Sequence, residues 1–238
     1  MVSFNVERSI DQDTLAKSAS DVISGHIKSV LKFKDRFKIA LSGGSTPRKA
    51  YKLLSSTDLP WHRVDVFLGD ERWVSHDDET SNALMLRQTL LASDSGSKAS
   101  FHPVPTTEFD SPERSAHEFS NLIRQVFKND FPCFDLILLG LGEDGHTASL
   151  FPGTDSLNVK NTLATVGRGK GQERISLTAE VLSAASKVIF LVSGVSKQIA
   201  LKRLLDPNES YERTPARLVQ PKSEVSLLVD DAAAGLLI

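Results

Sequence analysis

The chain has 238 residues, 40% of them hydrophobic and 24% charged, with a formal net charge of −2. That length can bury a substantial core, and the composition is ordinary for a globular protein. The balanced charge excludes the strongly basic class that binds nucleic acid through its overall field, and no apolar run reaches membrane-spanning length. The one cysteine, Cys133, excludes an intrachain disulfide. Beside Pro132 it reads as a small buried or half-buried hydrophobe rather than a nucleophile. No zinc-type Cys/His spacing exists. The N-terminus carries Glu7, Arg8, Asp11 and Asp13 without a signal-like apolar run, so the expected location is cytoplasmic.

Taken in order, residues 4–8 read as a short edge strand. From Asp13, the positions Leu15, Ala16, Ala19, Val22, Ile23, Ile27, Val30 and Leu31 recur at helical spacing and predict a long helix ending near Lys32. FKIAL (37–41) reads as a strand running into SGGSTP (42–47). Ala50, Tyr51, Leu53 and Leu54 begin a second helix, with Pro47 in its first turn. VDVFL (64–68) is the next strand and enters Gly69, Asp70, Glu71, Arg72, Trp73 and Val74. SHDDE (75–79) invites a metal reading, but without structured spacing a solvated loop fits better. Thr80 or Ser81 caps a helix whose apolar face includes Leu84, Leu86, Leu90 and Leu91. Residues 92–107 form a polar loop with a short strand at Phe101, and Pro112 opens a helix through Phe127. His102 and His117 have no evident partners and read as structural or exposed.

The central stretch is FDLILLGLGEDGHTASLFP (134–152). Four consecutive apolar residues, Leu136 to Leu139, predict a strand covered on both faces, as in a parallel sheet. Glycines follow, then Glu143, Asp144, Gly145 and His146. Ligands of open α/β sheets bind beyond the carboxyl ends of strands, which puts His146 in a reactive place. The competing reading is a turn with solvated polar residues. Two other strands that end in polar, glycine-containing loops favour the functional one. Beyond it, residues 158–172 are polar and glycine-rich, with a strand at 162–166. Residues 174–178 read as a strand, 179–185 as a short helix, and 188–192 as a buried strand. SGVSK (193–197) then leads into a helix through Leu205, and 225–229 is the last core strand.

Strand, hydroxyl-bearing glycine loop, helix is a phosphate-binding arrangement. Gly43 and Gly44 let the backbone approach an anion, helix N–H groups point at it, and Ser45 or Thr46 can donate to it or cap the helix. The loop is neither GxGxxG nor a GK[ST] P-loop, which argues against a dinucleotide. Lys197 in a helix's first turn opposes the helix dipole, which makes sense beside an anion. Asp70, Glu71 and Arg72 form either a polar site or a surface ion-pair patch.

SGGSTPRKAYKLL (42–54), VDVFLGDERWV (64–74), SNALMLRQTLL (81–91), FDLILLGLGEDGHTASLFPG (134–153), RISLTAEVL (174–182) and FLVSGVSKQIAL (190–201) together resemble one family. It is the 6-phosphogluconolactonase family, in the superfamily that includes glucosamine-6-phosphate isomerases and deaminases. The resemblance covers most of the chain. It implies a modified Rossmann-like α/β fold, a parallel-rich sheet with helices on both faces, in one domain over 1–238. It implies hydrolysis of a small-molecule 6-phosphosugar lactone in the pentose phosphate pathway. No metal, organic cofactor, nucleic acid or membrane is expected, and the protein should be a monomer or weak homodimer. Carried over by position, Gly43, Gly44, Ser45, Thr46, Arg174 and Lys197 would bind the phosphate. His146, Asp70 and Arg72, with Asp144 close by, would form the catalytic cluster. His146 would take the proton of an attacking water, Arg72 would stabilise the oxyanion, and Asp70 would orient His146 or the water. In the isomerases a glutamate follows the histidine, just before a proline. Here Phe151 precedes Pro152, so that ring-opening carboxylate is missing. A non-catalytic sugar-phosphate sensor is the third reading; intact Asp70, Arg72 and His146 speak against it.

Overall fold

The computed structural model describes residues 2–237; Met1 and Ile238, the ends of the expected domain, lie outside the described residues. The strands are β1 (Phe4–Ser9), β2 (Phe37–Leu41), β3 (Val64–Leu68), β4 (Asp70–Arg72), β5 (Ser100–Phe101), β6 (Leu136–Leu139), β7 (Ala164–Gly169), β8 (Gln172–Leu177), β9 (Val188–Val192) and β10 (Val225–Asp230). The helices are α1 (Gln12–Val30), α2 (Ser45–Ser55), α3 (Asn82–Arg87), α4 (Pro112–Val126), α5 (Ala179–Ser183), α6 (Gln198–Leu205) and α7 (Asp231–Ala234). Seven strands make one sheet in the order β1-β10-β9-β6-β2-β3-β5, and every neighbouring pair is parallel. The expected α/β class is found, a parallel sheet flanked by helices.

Strand order fixes where a ligand can sit. From β2 the chain moves outward through β3 and β5, then returns to place β6 on the other side of β2. The loops after β2 and β6 therefore diverge, and a crevice opens between them at the carboxyl edge. All side chains of β3, β6, β9 and β10 are buried; β6 and β9 are unbroken apolar runs, while β3 also buries Asp65 and β10 buries Ser226 and Asp230. Among the described residues no helix is long and apolar enough to cross a membrane.

Helix ends follow local chemistry. Asp11 caps α1 by accepting from Thr14 N at 2.8 Å, and Leu15, Ala16, Ala19, Ile23 and Ile27 form its buried face. Ser111 caps α4 with Pro112 in its first turn. α3 stops at Arg87, short of the expected apolar face; Leu90 is buried from the turn beyond it.

Three expectations change. Cys133 is exposed, because it stands on the loop before β6 while Phe134 takes the core position. His102 has partners after all: Nε2 lies 3.0 Å from Asp65 Oδ1, and the ring stacks on Phe67 with centroids 4.6 Å apart. The third is the glycine-rich stretch before residue 172. It is strand β7, longer than the expected 162–166, and with β8 and β4 it forms a second, antiparallel sheet in the order β4-β8-β7.

Asp65 ties the other end of the main sheet together. Its carboxylate accepts from Arg36 Nε and Nη2, both at 2.7 Å, and faces His102. Burial pushes its pKa up, but the hydrogen bonds from His102 and Arg36 outweigh that and hold it at about 2, against 3.8 ordinarily. A depressed folded pKa contributes stability above the unfolded value and loses it as pH falls through the folded one. Asp65→Asn should therefore melt earlier than the parent at pH 7. In thermal melts the gap should close as pH falls from about 4 towards 2.

Candidate active site

The crevice is a cleft of about 240 Å³. Gly43, Gly44, Ser45, Thr46, Asp70, Arg72, His146, Arg174 and Lys197 all line it. Asp144 alone of the expected residues does not; it contacts the imidazole instead.

One wall is the start of α2. Gly44 is its N-cap residue with φ 113°, a conformation open to glycine, and no side chain caps the helix. Ser45 and Thr46 are its first two residues, so they act as helix residues and not as caps. The N–H groups of this first turn have no partner within the helix, and Gly43 to Pro47 line the cleft. Gly43 is needed for a different reason: a Cβ there would sit 1.9 Å from Asn82 Oδ1. Tyr51 fixes the loop from below, its hydroxyl donating to Ser42 O at 2.8 Å.

The turn after β6 presents the histidine. Gly142 N donates to His146 O at 2.8 Å and Gly145 N to Gly142 O at 3.0 Å, folding the chain back on itself. Gly145 adopts φ 88° and packs against Thr214, where a Cβ would be 2.9 Å from Thr214 Cα. Ala216 N donates to Gly145 O at 3.0 Å, so residues 214–216 brace the turn from outside. His146 Nδ1 lies 2.5 Å from Asp144 Oδ1. An ionised carboxylate can only accept, so Nδ1 carries the proton and Nε2 the free lone pair. The Phe151 ring covers the imidazole, with centroids 4.4 Å apart and planes tilted by 36°.

Burial is the largest influence on His146 and lowers its pKa, more than Asp144 raises it. The ring is thus neutral at pH 7. Burial also raises Asp144, but the hydrogen bond and charge of His146 outweigh it and keep the carboxyl below its ordinary range. Asp70 makes no hydrogen bond to His146. Its Oδ2 accepts from Ser149 Oγ at 2.5 Å and lies 3.9 Å from Arg174 Nη1.

The second sheet builds the opposite wall. β4 pairs with β8 so that Arg72 stands directly across from Arg174, and Asp70 across from Ser176. Like charges opposite each other repel, and only Asp70 answers them inside the cleft. Burial, with Arg72 nearby, lowers the Arg174 pKa against the pull of Asp70. The buried Nε atoms of both arginines lack hydrogen-bond partners. Arg72 Nη1 donates to Thr80 O. With Lys170 and Lys197, four cationic side chains and one carboxylate line the cleft. Such a site suits a multiply charged anion.

Lys197 ends a 3₁₀ turn, Val195–Lys197, and is the residue before α6. Gly194 adopts φ 97°, and Asp230 holds the loop through Ser193 Oγ at 2.5 Å and Gly194 N at 3.0 Å. Lys197 Nζ lies 3.8 Å from Glu143 Oε1.

Sequence reasoning missed the roles of Glu71 and three further contributors. Glu71 is fully buried and accepts from Arg72 N, Asn82 N, Ala83 N and Ser81 Oγ at 2.7–3.1 Å, so it caps α3 and fixes β4. Asn82 Nδ2 donates to Asp70 O at 2.8 Å. Gly142 leaves room for the histidine: a Cβ there would be 1.9 Å from His146 Nδ1. Lys170 enters from the β7–β8 turn. Only the GRGKGQ pattern between two strand-like runs could have marked that turn. Among the described residues no cluster of three or more His, Cys, Asp or Glu is placed to hold a metal ion.

The profile of the family described as Glucosamine-6-phosphate isomerases/6-phosphogluconolactonase matches residues 10–228. The chain belongs to this family. A 6-phosphogluconolactonase from Synechocystis sp. is 41% identical over 227 residues, 94% of each chain. One from Rattus norvegicus is 34% identical over 220 residues, 86% of this chain and 82% of the rat protein. The structure of 6-phosphogluconolactonase from Trypanosoma cruzi matches with a TM-score of 0.86 at 27% identity, covering 99% of this chain and 98% of that one.

Gly142→Ala should drive the imidazole off Asp144 in a folded protein. Histidine ¹⁵N NMR should lose the Nδ1–H tautomer of His146.

Proposed function

We propose that the protein hydrolyses 6-phospho-D-glucono-1,5-lactone to 6-phosphogluconate, in the oxidative branch of the pentose phosphate pathway. The observation that carries this reading is His146. It is neutral, held by Asp144 at Nδ1, covered by Phe151, and its cleft is lined with cations. The names of the relatives support the same reaction.

In this reading the 6-phosphate rests on the N–H groups of Gly43 to Thr46 at the start of α2, with Arg174 and Lys197 supplying charge. Water attacks the lactone carbonyl carbon. As the new C–O bond forms, His146 Nε2 takes the water's proton and Arg72 faces the oxyanion. General-base help is typically worth ~10²–10⁴-fold, and one oxyanion donor about 3 kcal/mol. The intermediate then collapses, the bond from the carbonyl carbon to the ring oxygen breaks, and the imidazolium returns the proton to that oxygen. The acid formed ionises to a carboxylate. Asp144 keeps Nε2 unprotonated and aimed. Asp70, held by Ser149 and Asn82, orients the water and balances Arg174.

Phe151 separates this reaction from amino-sugar phosphate isomerisation. A carboxylate at 151 would lie against the imidazole and raise its pKa; the phenyl ring does the reverse. The test is release of 6-phosphogluconate from fresh lactone above the spontaneous rate, with glucosamine 6-phosphate as control. Ketose formation from the amino sugar at an enzymatic rate would overturn the reading, as would binding without turnover.

His146→Asn keeps hydrogen bonding but cannot take a proton, so kcat should drop by about 10² or more with product binding retained. In the parent, activity should fall as pH drops below the lowered His146 pKa, which lies under the ordinary 6.5. Asp144→Asn removes a group that raises that pKa, so the acid limb should move lower while kcat falls. A limb that moved upward would sink the assignment.

Lys197→Ala should raise KM for the phosphorylated lactone about tenfold or more, and change little with unphosphorylated gluconolactone. Equal losses on both substrates would refute a phosphate role.

A further inference from the structure

The mechanism above gives no task to Lys170. Yet Lys170 lines the cleft with His146, Arg72 and Arg174. It occupies the first position of a two-residue turn, since Gly169 pairs with Gln172 across the β7–β8 hairpin. Lys170 has φ 54° and Gly171 φ 73°, both left-handed. A hairpin turn of this kind favours Asn, Asp or Gly at its first position, and lysine is a poor choice on conformational grounds. A residue kept against its local preference points to a role for its side chain.

The hairpin is also registered to the histidine. A Cβ at Gly169 would be 2.5 Å from the Phe151 ring, so the strand backbone lies directly on that ring. The same ring packs against His146, 4.4 Å between centroids, and lies under the Arg174 guanidinium, 5.5 Å from the ring centroid. The chain His146, Phe151, Gly169, Lys170 is therefore continuous and packed. Its two-residue turn leaves little slack. Lys170 is exposed, and among the described residues it forms no salt bridge, whereas Lys197 already faces Glu143. Its charge reaches His146 and Asp144, lowering the pKa of each.

We propose that Lys170 is a substrate-binding residue at the reacting end of the cleft, pairing with the carboxylate that lactone opening creates. The opening of a neutral lactone adds one negative charge at the carbon His146 serves. The N–H groups of α2 and Lys197 lie on other loops and are assigned to the phosphate. A second cation beside the base would take the new charge. This inference rests on the lactone reading.

The experiment compares two ligands that share the phosphate and differ at carbon 1. They are 6-phosphogluconate, with a carboxylate, and glucitol 6-phosphate, with a hydroxymethyl group. Lys170→Asn removes the charge and suits the left-handed turn, so the hairpin should stay folded. By calorimetry it should weaken 6-phosphogluconate about tenfold or more, the scale of one hydrogen bond to a charged group, and leave glucitol 6-phosphate unchanged. Lys170→Arg should recover most of the loss. Equal weakening of both ligands would overturn the proposal by placing Lys170 on the phosphate, and no change in either would overturn it as well. If the parent bound glucitol 6-phosphate as tightly as 6-phosphogluconate and released no product from lactone, the lactone reading itself would fall. Parent turnover with an unaffected Lys170→Asn would fell this inference alone.

Discussion

There is no room for a side chain at residue 142. The space a Cβ would take belongs to His146 Nδ1 and Asp144 Oδ1, 1.9 and 2.5 Å from it. This one close approach lets the turn after β6 close on itself, which brings an aspartate and a histidine two residues apart into a hydrogen bond. The bond sets the tautomer, the tautomer leaves Nε2 free, and burial keeps it unprotonated. The surrounding parts hold that turn in place. Thr214 and Ala216 brace it from outside, Thr147 Oγ1 ties it to Gly140 O at 2.8 Å, and Phe151 closes its face.

The second constraint is electrostatic. Arg72 and Arg174 face each other across β4 and β8, each with a buried Nε that finds no acceptor. Folding such a pair beside one carboxylate costs stability unless an anion enters. Glu71 fixes the strand that carries Arg72. Burial raises its pKa against the four donors that surround it, and those donors hold β4 and α3 together. Unsatisfied cationic groups in a cleft beside a neutral imidazole form a site prepared for an anion.

The two sheets divide the labour. The parallel sheet supplies the α2 start, the histidine turn and the Lys197 loop from the carboxyl ends of β2, β6 and β9. The antiparallel sheet folds over that edge. It carries Asp70, Arg72, Arg174 and Lys170 to the far wall. Gly167 and Gly169 make this cover possible. A Cβ at Gly167 would sit 2.2 Å from Ser149 O, and one at Gly169 would strike Phe151. These glycines suggest a loop in sequence because glycine weakens strands in general. Here they are strand residues that let two backbones touch.

Local sequence was enough to determine the periodic elements, the edge position of β1, the α/β class, and the glycine loop and EDGH turn at strand ends. Those features depend on residues within a few positions of each other, where propensity and hydrophobic period act directly. The motifs, read as a resemblance, were enough to find the family. Tertiary structure alone decided the rest. It made Asp144, not Asp70, the partner of the imidazole, because Asp70 is drawn to Ser149 across the sheets. It buried Glu71, gave His102 its partner in Asp65, and left Cys133 in solvent. It also set Lys170 beside a histidine 24 residues earlier in the chain. Each of these outcomes depends on which distant backbone passes within a hydrogen bond or a van der Waals radius. A linear pattern carries no record of that distance.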